Sequence, residues 1–140
     1  MANVTIVYWS GTGNTEAMAR LIMEGAQGAG ASVTMLNVSE ADESALDADV
    51  LALGCPAMGA EVLEESEFEP YIASIEGKVS GKRLALFGSY GWGDGEWMRE
   101  WSSRMTSAGA ILAVESLIVN ESPDGSGEES CKAFGAAIAG

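Results

Sequence analysis

Residues 8–16, YWSGTGNTE, join an apolar β-branched stretch, NVTIVYW at residues 3–9, to a helical pattern, TEAMARLIMEGA at residues 15–26. This order predicts a strand, a tight loop and a helix. The loop carries three hydroxyls, one amide side chain and two glycines that leave backbone N–H groups accessible, but the first basic residue of the chain is Arg20. Uncharged donors at the N-terminus of a helix form a site for an anion, most often a phosphate. We therefore expect an anion site in this loop.

Two better-defined phosphate motifs do not match the loop. A P-loop requires a lysine after its last glycine, whereas Gly13 is followed by Asn14. A dinucleotide-binding fingerprint needs a third small residue, but the loop leads into Glu16. Two interpretations remain, a site for a terminal monophosphate and an ordinary strand-to-helix turn with an Asn or Thr helix cap.

The composition restricts the class of protein. The chain has 140 residues, which predicts a single domain over residues 1–140, and a formal net charge of −14. Such an acidic protein is a poor partner for nucleic acids and anionic membranes and a better one for basic proteins. No apolar run has the length of a membrane span, and the N-terminus lacks the order of a signal peptide. We expect a cytoplasmic monomer that does not associate with membranes.

The chain contains no histidine, which excludes serine–histidine catalysis and histidine-ligated metal sites. Its two cysteines, Cys55 and Cys131, are far apart in sequence and show no C-x-x-C spacing. We expect them to be reduced, packed thiols rather than a disulfide. Any chemistry must come from carboxylates, thiols or a bound cofactor.

Strand-like apolar runs alternate with helical patterns along the rest of the chain. The runs are SVTMLNV, DVLALG, RLALFGS and the pair AILAV and SLIVN, and helical patterns cover residues 65–76, 96–108 and 128–139. Uninterrupted hydrophobicity in DVLALG and RLALFG indicates strands buried on both faces of a parallel sheet. Five strands with right-handed helical crossovers give a three-layer α/β/α sandwich. The four-residue spacing of Trp97, Trp101 and Met105 predicts that they pack in the core.

In such a sandwich, ligands bind beyond the carboxyl ends of the strands. Besides the first loop, residues 55–61 (CPAMGAE) and residues 89–97 (SYGWGDGEW) follow strands at this edge. Trp92 lies between two glycines with little local chain to pack against, which favours stacking on a flat ligand whose other side faces Met58. The alternatives are that Trp92 folds onto a neighbouring helix and that Met58 fills a gap in the core.

Three motifs, SGTGNTE, GCPAMGAE and LFGSYGWGDGEWM, resemble in order and spacing those of the flavodoxin family, specifically its short-chain members from anaerobic bacteria. The resemblance covers essentially the whole chain. It implies a five-stranded parallel sheet of order 2-1-3-4-5 and non-covalently bound FMN, which flavodoxins hold where strands 1 and 3 meet.

The resemblance also implies the roles of single residues. The FMN phosphate lies in the loop 10–15, the ring lies between Met58 and Trp92, Glu61 accepts from the flavin N3–H, and the Gly59 carbonyl turns towards N5–H on reduction. In the switched state, a type II turn through residues 58–61 would place Ala60 at positive φ, which glycine adopts more readily than alanine. The implied contact residues are Ser10, Gly11, Thr12, Gly13, Asn14, Thr15, Pro56, Ala57, Met58, Gly59, Ala60, Glu61, Ser89, Tyr90, Gly91, Trp92 and Gly93.

The implied function is electron transfer without a catalytic residue. A phosphate held only by uncharged dipoles keeps its charge, so reduction of the flavin to an anionic hydroquinone beside it is disfavoured. We expect a low-potential one-electron carrier that cycles between semiquinone and hydroquinone FMN. Basic redox proteins are the expected partners, docking on acidic residues that follow the second and third loops: Glu61, Glu64, Glu65, Glu67, Glu69, Asp94 and Glu96.

Two other functions are compatible with the same fold. An NAD(P)H-dependent flavin or quinone reductase would bind a nicotinamide beside the ring, but Trp92 covers one face and the sequence has no basic cluster for a second nucleotide. A phosphoacceptor receiver domain needs acidic residues at strand ends, whereas the first strand ends in Tyr8 and Trp9.

Overall fold

A computed structural model describes residues 2–59 and 61–140 of the chain. The strands are β1 (Asn3–Tyr8), β2 (Ser32–Asn37), β3 (Val50–Gly54), β4 (Arg83–Tyr90), β5 (Ile111–Leu112) and β6 (Leu117–Asn120). The helices are α1 (Asn14–Gly28), α2 (Phe68–Glu76), α3 (Glu96–Ser107) and α4 (Ser126–Ala139), and two short 3₁₀ turns cover Val38–Glu40 and Glu43–Asp47.

The sheet is parallel and its strand order is β2-β1-β3-β4-β5, as expected from the resemblance. Both β5 and β6 pair with β4. Strand β5 pairs near the start of β4, with Leu112 opposite Leu84, and β6 pairs nearer its end, with Leu117 opposite Phe87. Four residues separate Leu112 from Leu117, but only two separate Leu84 from Phe87. The fifth strand is therefore present as two short parts, β5 and β6, which both pair with β4 and are separated by residues 113–116.

Helices cover both faces of the sheet. Alternate residues of the strands, such as Leu51 and Leu53, pack with α2 and α3, whereas Val50 and Ala52 pack with α1 and α4. All five residues of β3 are buried, which explains why its sequence shows no polar alternation. The expected three-layer sandwich is confirmed.

The predicted helices are all present, with shifted ends. Helix α3 buries Trp97, Trp101 and Met105, which confirms their core packing. Helix α4 begins two residues before position 128. Helix α2 begins three residues after position 65, because the Glu64 carboxylate accepts hydrogen bonds from the N–H groups of Ser66, Glu67 and Phe68 at 2.8–2.9 Å.

Candidate functional site

The loop between β1 and α1 is held in shape by one hydroxyl. Ser10 Oγ accepts hydrogen bonds from the N–H groups of Gly13 at 3.1 Å and Glu16 at 3.2 Å. Gly13 precedes the helix with φ 99°, a conformation that a residue with a Cβ adopts at a cost. The hydrogen of the Ser10 hydroxyl stays available, so this side chain can donate to an anion while it organises the loop.

Thr15 provides the clearest indication of a ligand in this loop. Its side chain lies in the first turn of α1 with 1% of the residue surface exposed, and Oγ1 has no hydrogen-bond partner within the described residues. A buried hydroxyl without a partner costs free energy, so such groups are rare unless a ligand or water completes them. A phosphate at the N-terminus of α1 would supply the missing acceptor, which fits the FMN phosphate that the resemblance places here.

The loops after β1, β3 and β4 meet in one cleft of about 380 Å³ at the carboxyl edge of the sheet. Predicted site residues that line it are Gly11, Thr12, Asn14, Pro56, Ala57, Met58, Ser89, Tyr90 and Gly91. Backbone hydrogen bonds connect the walls, since Ala57 N–H donates to the Ser89 carbonyl at 3.0 Å. The three motifs thus form one site-sized cavity, with apolar residues beside a polar phosphate loop.

Two residues of this cleft were not among the predicted site residues. Trp9 follows β1, and Glu121 follows β6 with φ 56°. The Glu121 N–H donates to the Tyr90 carbonyl at 2.7 Å, and its carbonyl accepts from Ser89 Oγ at 2.7 Å. The rule that ligands bind beyond the carboxyl ends of strands also applies to the loop after the last strand, and applying it there would have found Glu121.

The second loop is a hairpin, and in this structure it differs from the type II turn that the resemblance implies for residues 58–61 in the switched state. Met58 and Val62 exchange two backbone hydrogen bonds at 2.9 and 3.1 Å, and Gly59 has φ 41°, whereas the second residue of a type II turn needs φ near about −60°. Glu61 also has positive φ, at 55°. Ala60 lies outside the described residues, so its positive φ and its role in a peptide switch stay predictions.

Glu61 is buried against the third loop. Only 8% of its surface is exposed, and Oε1 has no hydrogen-bond partner in the part of the chain that the structure describes. Its carboxylate occupies the space beside Gly93, since a Cβ at position 93 would lie 2.5 Å from Oε1. The second carboxylate oxygen, Oε2, can accept an N–H from a ligand, which fits the contact with flavin N3–H implied by the resemblance.

The Trp92 indole is exposed, with 65% of its surface in contact with solvent. The alternative that it folds onto a neighbouring helix is therefore wrong. Met58 lines the cleft and is only partly buried, so it does not fill a gap in the core. Trp92 does not line the cleft defined by the other residues, so its stacking on a ligand stays a prediction.

The two thiols are structural. Cys55 and Cys131 are unbridged and buried, as expected. Burial raises the pKa of Cys55 to about 12 and that of Cys131 to about 11, so neither is a thiolate at neutral pH. The Cys55 carbonyl also accepts from Trp97 Nε1 at 3.2 Å, which connects β3 to α3.

The acidic residues expected to form a docking surface do not all face solvent. Glu61 and Glu64 are buried, Glu69 binds Arg104 with both oxygens at 2.7 Å, and Asp94 pairs with Arg99. Glu65, Glu67 and Glu96 are exposed. The acidic surface beside the site is therefore smaller than the sequence indicated.

Among the described helices, none is both long and apolar enough to cross a membrane.

Comparison with known proteins agrees with the motifs. The family model described as Flavodoxin matches residues 6–135. The chain is 55% identical over 135 residues to a flavodoxin of Clostridium beijerinckii, covering 96% of this chain and 97% of the relative. It is 48% identical over 137 residues to the flavodoxin of Megasphaera elsdenii, covering 97% and 98%.

Solved structures show the same likeness. The solution structure of the two-electron reduced M. elsdenii flavodoxin superimposes with a TM-score of 0.89 at 47% identity, covering 97% of this chain and 98% of the other. A flavodoxin from the domain Archaea superimposes with a TM-score of 0.88 at 25% identity, covering 98% and 96%.

Proposed function

The chain belongs to the flavodoxin family of FMN-binding electron carriers, and we propose that it is a low-potential carrier that moves one electron at a time, cycling its FMN between semiquinone and hydroquinone. The observation that carries this proposal is the set of uncharged donors at the start of α1, where we expect the phosphate. Its donors, including the buried Thr15 hydroxyl, are uncharged, and the nearby Arg20 guanidinium is already paired with Glu16 at 2.8 Å. The charge of a bound phosphate is therefore not neutralised.

Electrostatics of the whole chain support a low potential. Seven basic residues face twenty-one acidic ones, and five of the seven are in ion pairs with carboxylates: Arg20, Lys78, Arg99, Arg104 and Lys132. Added negative charge in such a protein meets repulsion from the phosphate and from the surface. The reduced cofactor is a strong electron donor for the same reason.

We assign the predicted contact residues to three tasks. Residues 10–15 hold the phosphate through hydroxyl and N–H donors. Met58, Tyr90 and Trp92 exclude water from the ring, and Glu61 holds the ring by accepting its N3–H. The Gly59 carbonyl, at the tip of the hairpin that Met58 and Val62 close, would accept a hydrogen bond from the flavin N5–H.

The lining of the cleft supports electron transfer rather than a nicotinamide-dependent reductase. Such an enzyme must hold the phosphates of a second nucleotide, usually with Arg or Lys. The cleft residues include one acid, Glu121, and no basic side chain. We propose that the chain acts as a cytoplasmic monomer and serves basic redox partner proteins rather than a small-molecule substrate.

Mixing the FMN-loaded protein anaerobically with NADH and NADPH separates the two functions. A carrier keeps its flavin absorbance until a catalytic amount of a flavodoxin reductase is added. Rapid bleaching by either nucleotide alone would establish a reductase instead.

A further inference from the structure

A second, smaller cleft of about 170 Å³ lies between the second loop and α3, behind Glu61. Trp97, Trp101, Glu69 and Arg104 also line it. Glu100 adds a further carboxylate to the lining, and Glu69 and Arg104 bond each other within the cleft. The cleft also holds a nitrogen donor that, like Glu61 Oε1, has no partner among the described residues.

Two of the three side chains that carry nitrogen donors already bind acceptors. Arg104 binds both oxygens of Glu69 at 2.7 Å and reaches Glu76 at 3.0 Å. Trp97 Nε1 donates to the Cys55 carbonyl at 3.2 Å. The third donor is Trp101 Nε1, which is buried and has no hydrogen-bond partner within residues 2–59 and 61–140.

The cleft therefore contains one unpaired buried donor, Trp101 Nε1, and one unpaired buried acceptor, Glu61 Oε1, among the described groups. The two atoms do not bond each other directly in the structure. A polar cavity of this size accommodates a water molecule, which needs two or more polar partners. A water that contacted both atoms would satisfy both of them.

We propose that Trp101 is a positioning residue for the flavin site: its indole N–H, through one buried water, holds Oε1 of Glu61 and leaves the other carboxylate oxygen for the flavin N3–H. The indole direction is fixed, because Trp101 is 2% exposed and stacks edge-on against Phe68 with ring centroids 5.5 Å apart. This inference rests on the proposed role of Glu61 as the N3–H acceptor.

A double-mutant cycle tests the coupling. Trp101→Phe removes the N–H and keeps an aromatic ring against Phe68, and the FMN dissociation constant is measured for this variant alone and combined with Glu61→Gln. We expect Trp101→Phe to weaken FMN about fivefold in the native background and less than about twofold with Glu61→Gln, because a water-mediated bond to a charged group is lost only once. Trp97→Phe is the matched control. The Trp97 indole N–H donates to the Cys55 carbonyl, so the effect of Trp97→Phe on FMN affinity should be the same in both backgrounds.

A second measurement does not depend on FMN. In the ¹H–¹⁵N spectrum of the flavin-free protein, Glu61→Gln should move the indole N–H resonance of Trp101 more than that of Trp97. A Trp101 resonance that stays in place, or equal effects of Trp101→Phe in both backgrounds, overturns the coupling. A moved resonance in Glu61→Gln together with unchanged FMN affinity in Glu61→Ala, which has no acceptor oxygen, supports the coupling and refutes the N3–H role of Glu61.

Discussion

The carboxylate of Glu61 occupies the space that a side chain at Gly93 would need, with Oε1 2.5 Å from the position of a Cβ at residue 93. The two residues belong to different loops, after β3 and after β4. Their contact joins the hairpin of the second loop to the tryptophan-bearing third loop. A bound flavin would contact both, so the loops form one recognition unit.

Gly93→Ala should therefore weaken FMN binding by displacing Glu61. Gly93 has φ 84°, so alanine also adds backbone strain of about 1–2 kcal/mol. Gly81→Ala is the matched control, because Gly81 has φ 76° and its Cβ would meet nothing within 4 Å. Both variants should lose stability in urea unfolding of the flavin-free protein, but only Gly93→Ala should raise the FMN dissociation constant. Equal FMN affinities in the two variants would show that the position of Glu61 beside Gly93 does not affect FMN binding.

The buried hydroxyl of Thr15 makes a second prediction. Thr15→Ala should weaken FMN by about 1.5–3 kcal/mol, the range for hydrogen bonds to charged groups. Riboflavin lacks the phosphate, so its affinity should change little. Fluorescence-quenching titrations of both flavins give the comparison, and Thr12→Ala tests the exposed hydroxyl of the same loop. A loss of equal size for riboflavin and FMN would place the phosphate elsewhere.

Glu64 should make folding stability depend on pH in the acid range. Burial raises its pKa, but hydrogen bonds from Ser66, Phe68 and Glu67 outweigh burial and lower the pKa to about 2 from an ordinary 4.5. The folded carboxyl thus has the lower pKa, so its contribution is complete above about pH 4.5 and is lost as the pH falls towards 2. Glu64→Gln should lower the free energy of unfolding by about 1–2 kcal/mol at pH 7, as for a lost helix cap, and by progressively less in acid.

The control for this prediction is Glu65→Gln, which removes a neighbouring exposed charge. Denaturant unfolding between pH 2.5 and 7 should follow the native curve for Glu65→Gln. A Glu64→Gln curve that stays parallel to the native one throughout would mean that the carboxylate does not cap α2.

Exposed acids beside the site should control the rate of electron transfer. Glu67→Lys should slow reduction of a basic partner, and raising the salt concentration should slow the native reaction, because the Debye length falls from about 10 Å at 0.1 M to about 3 Å at 1 M. Asp47→Lys makes the same change in net charge at the opposite edge of the sheet, before β3. Stopped-flow rates that fall equally in both variants would indicate an effect of net charge rather than a docking surface.

The strands and helices were predictable because apolar periodicity is a local property. The uninterrupted apolar run at β3, for example, predicts a strand that is buried on both faces, and all five of its residues are buried. The four-residue spacing of Trp97 and Trp101 likewise predicts which side of α3 is buried. The motif spacing also indicated the three loops that meet in one cleft, which nine of the seventeen expected residues line.

Other features depend on contacts between distant segments. Glu64 and the exposed Glu65 are neighbouring glutamates that the sequence does not distinguish. Glu64 caps α2 because the N–H groups of Glu67 and Phe68 lie within hydrogen-bond distance of its carboxylate. Glu61 meets Gly93 across 32 positions of sequence, and the hairpin shape at Gly59 is set by the pairing of its flanks. Sequence patterns do not give the distances between residues that are far apart in the chain.

Spectroelectrochemical titration of the FMN-loaded protein tests the central claim most directly. We expect two separated one-electron steps, with a blue neutral semiquinone between them and a second potential well below that of free FMN measured in the same cell. Thr15→Ala protein saturated with FMN should keep two steps, because the ring site is unchanged. A single two-electron step at the potential of free FMN would contradict a low-potential one-electron carrier.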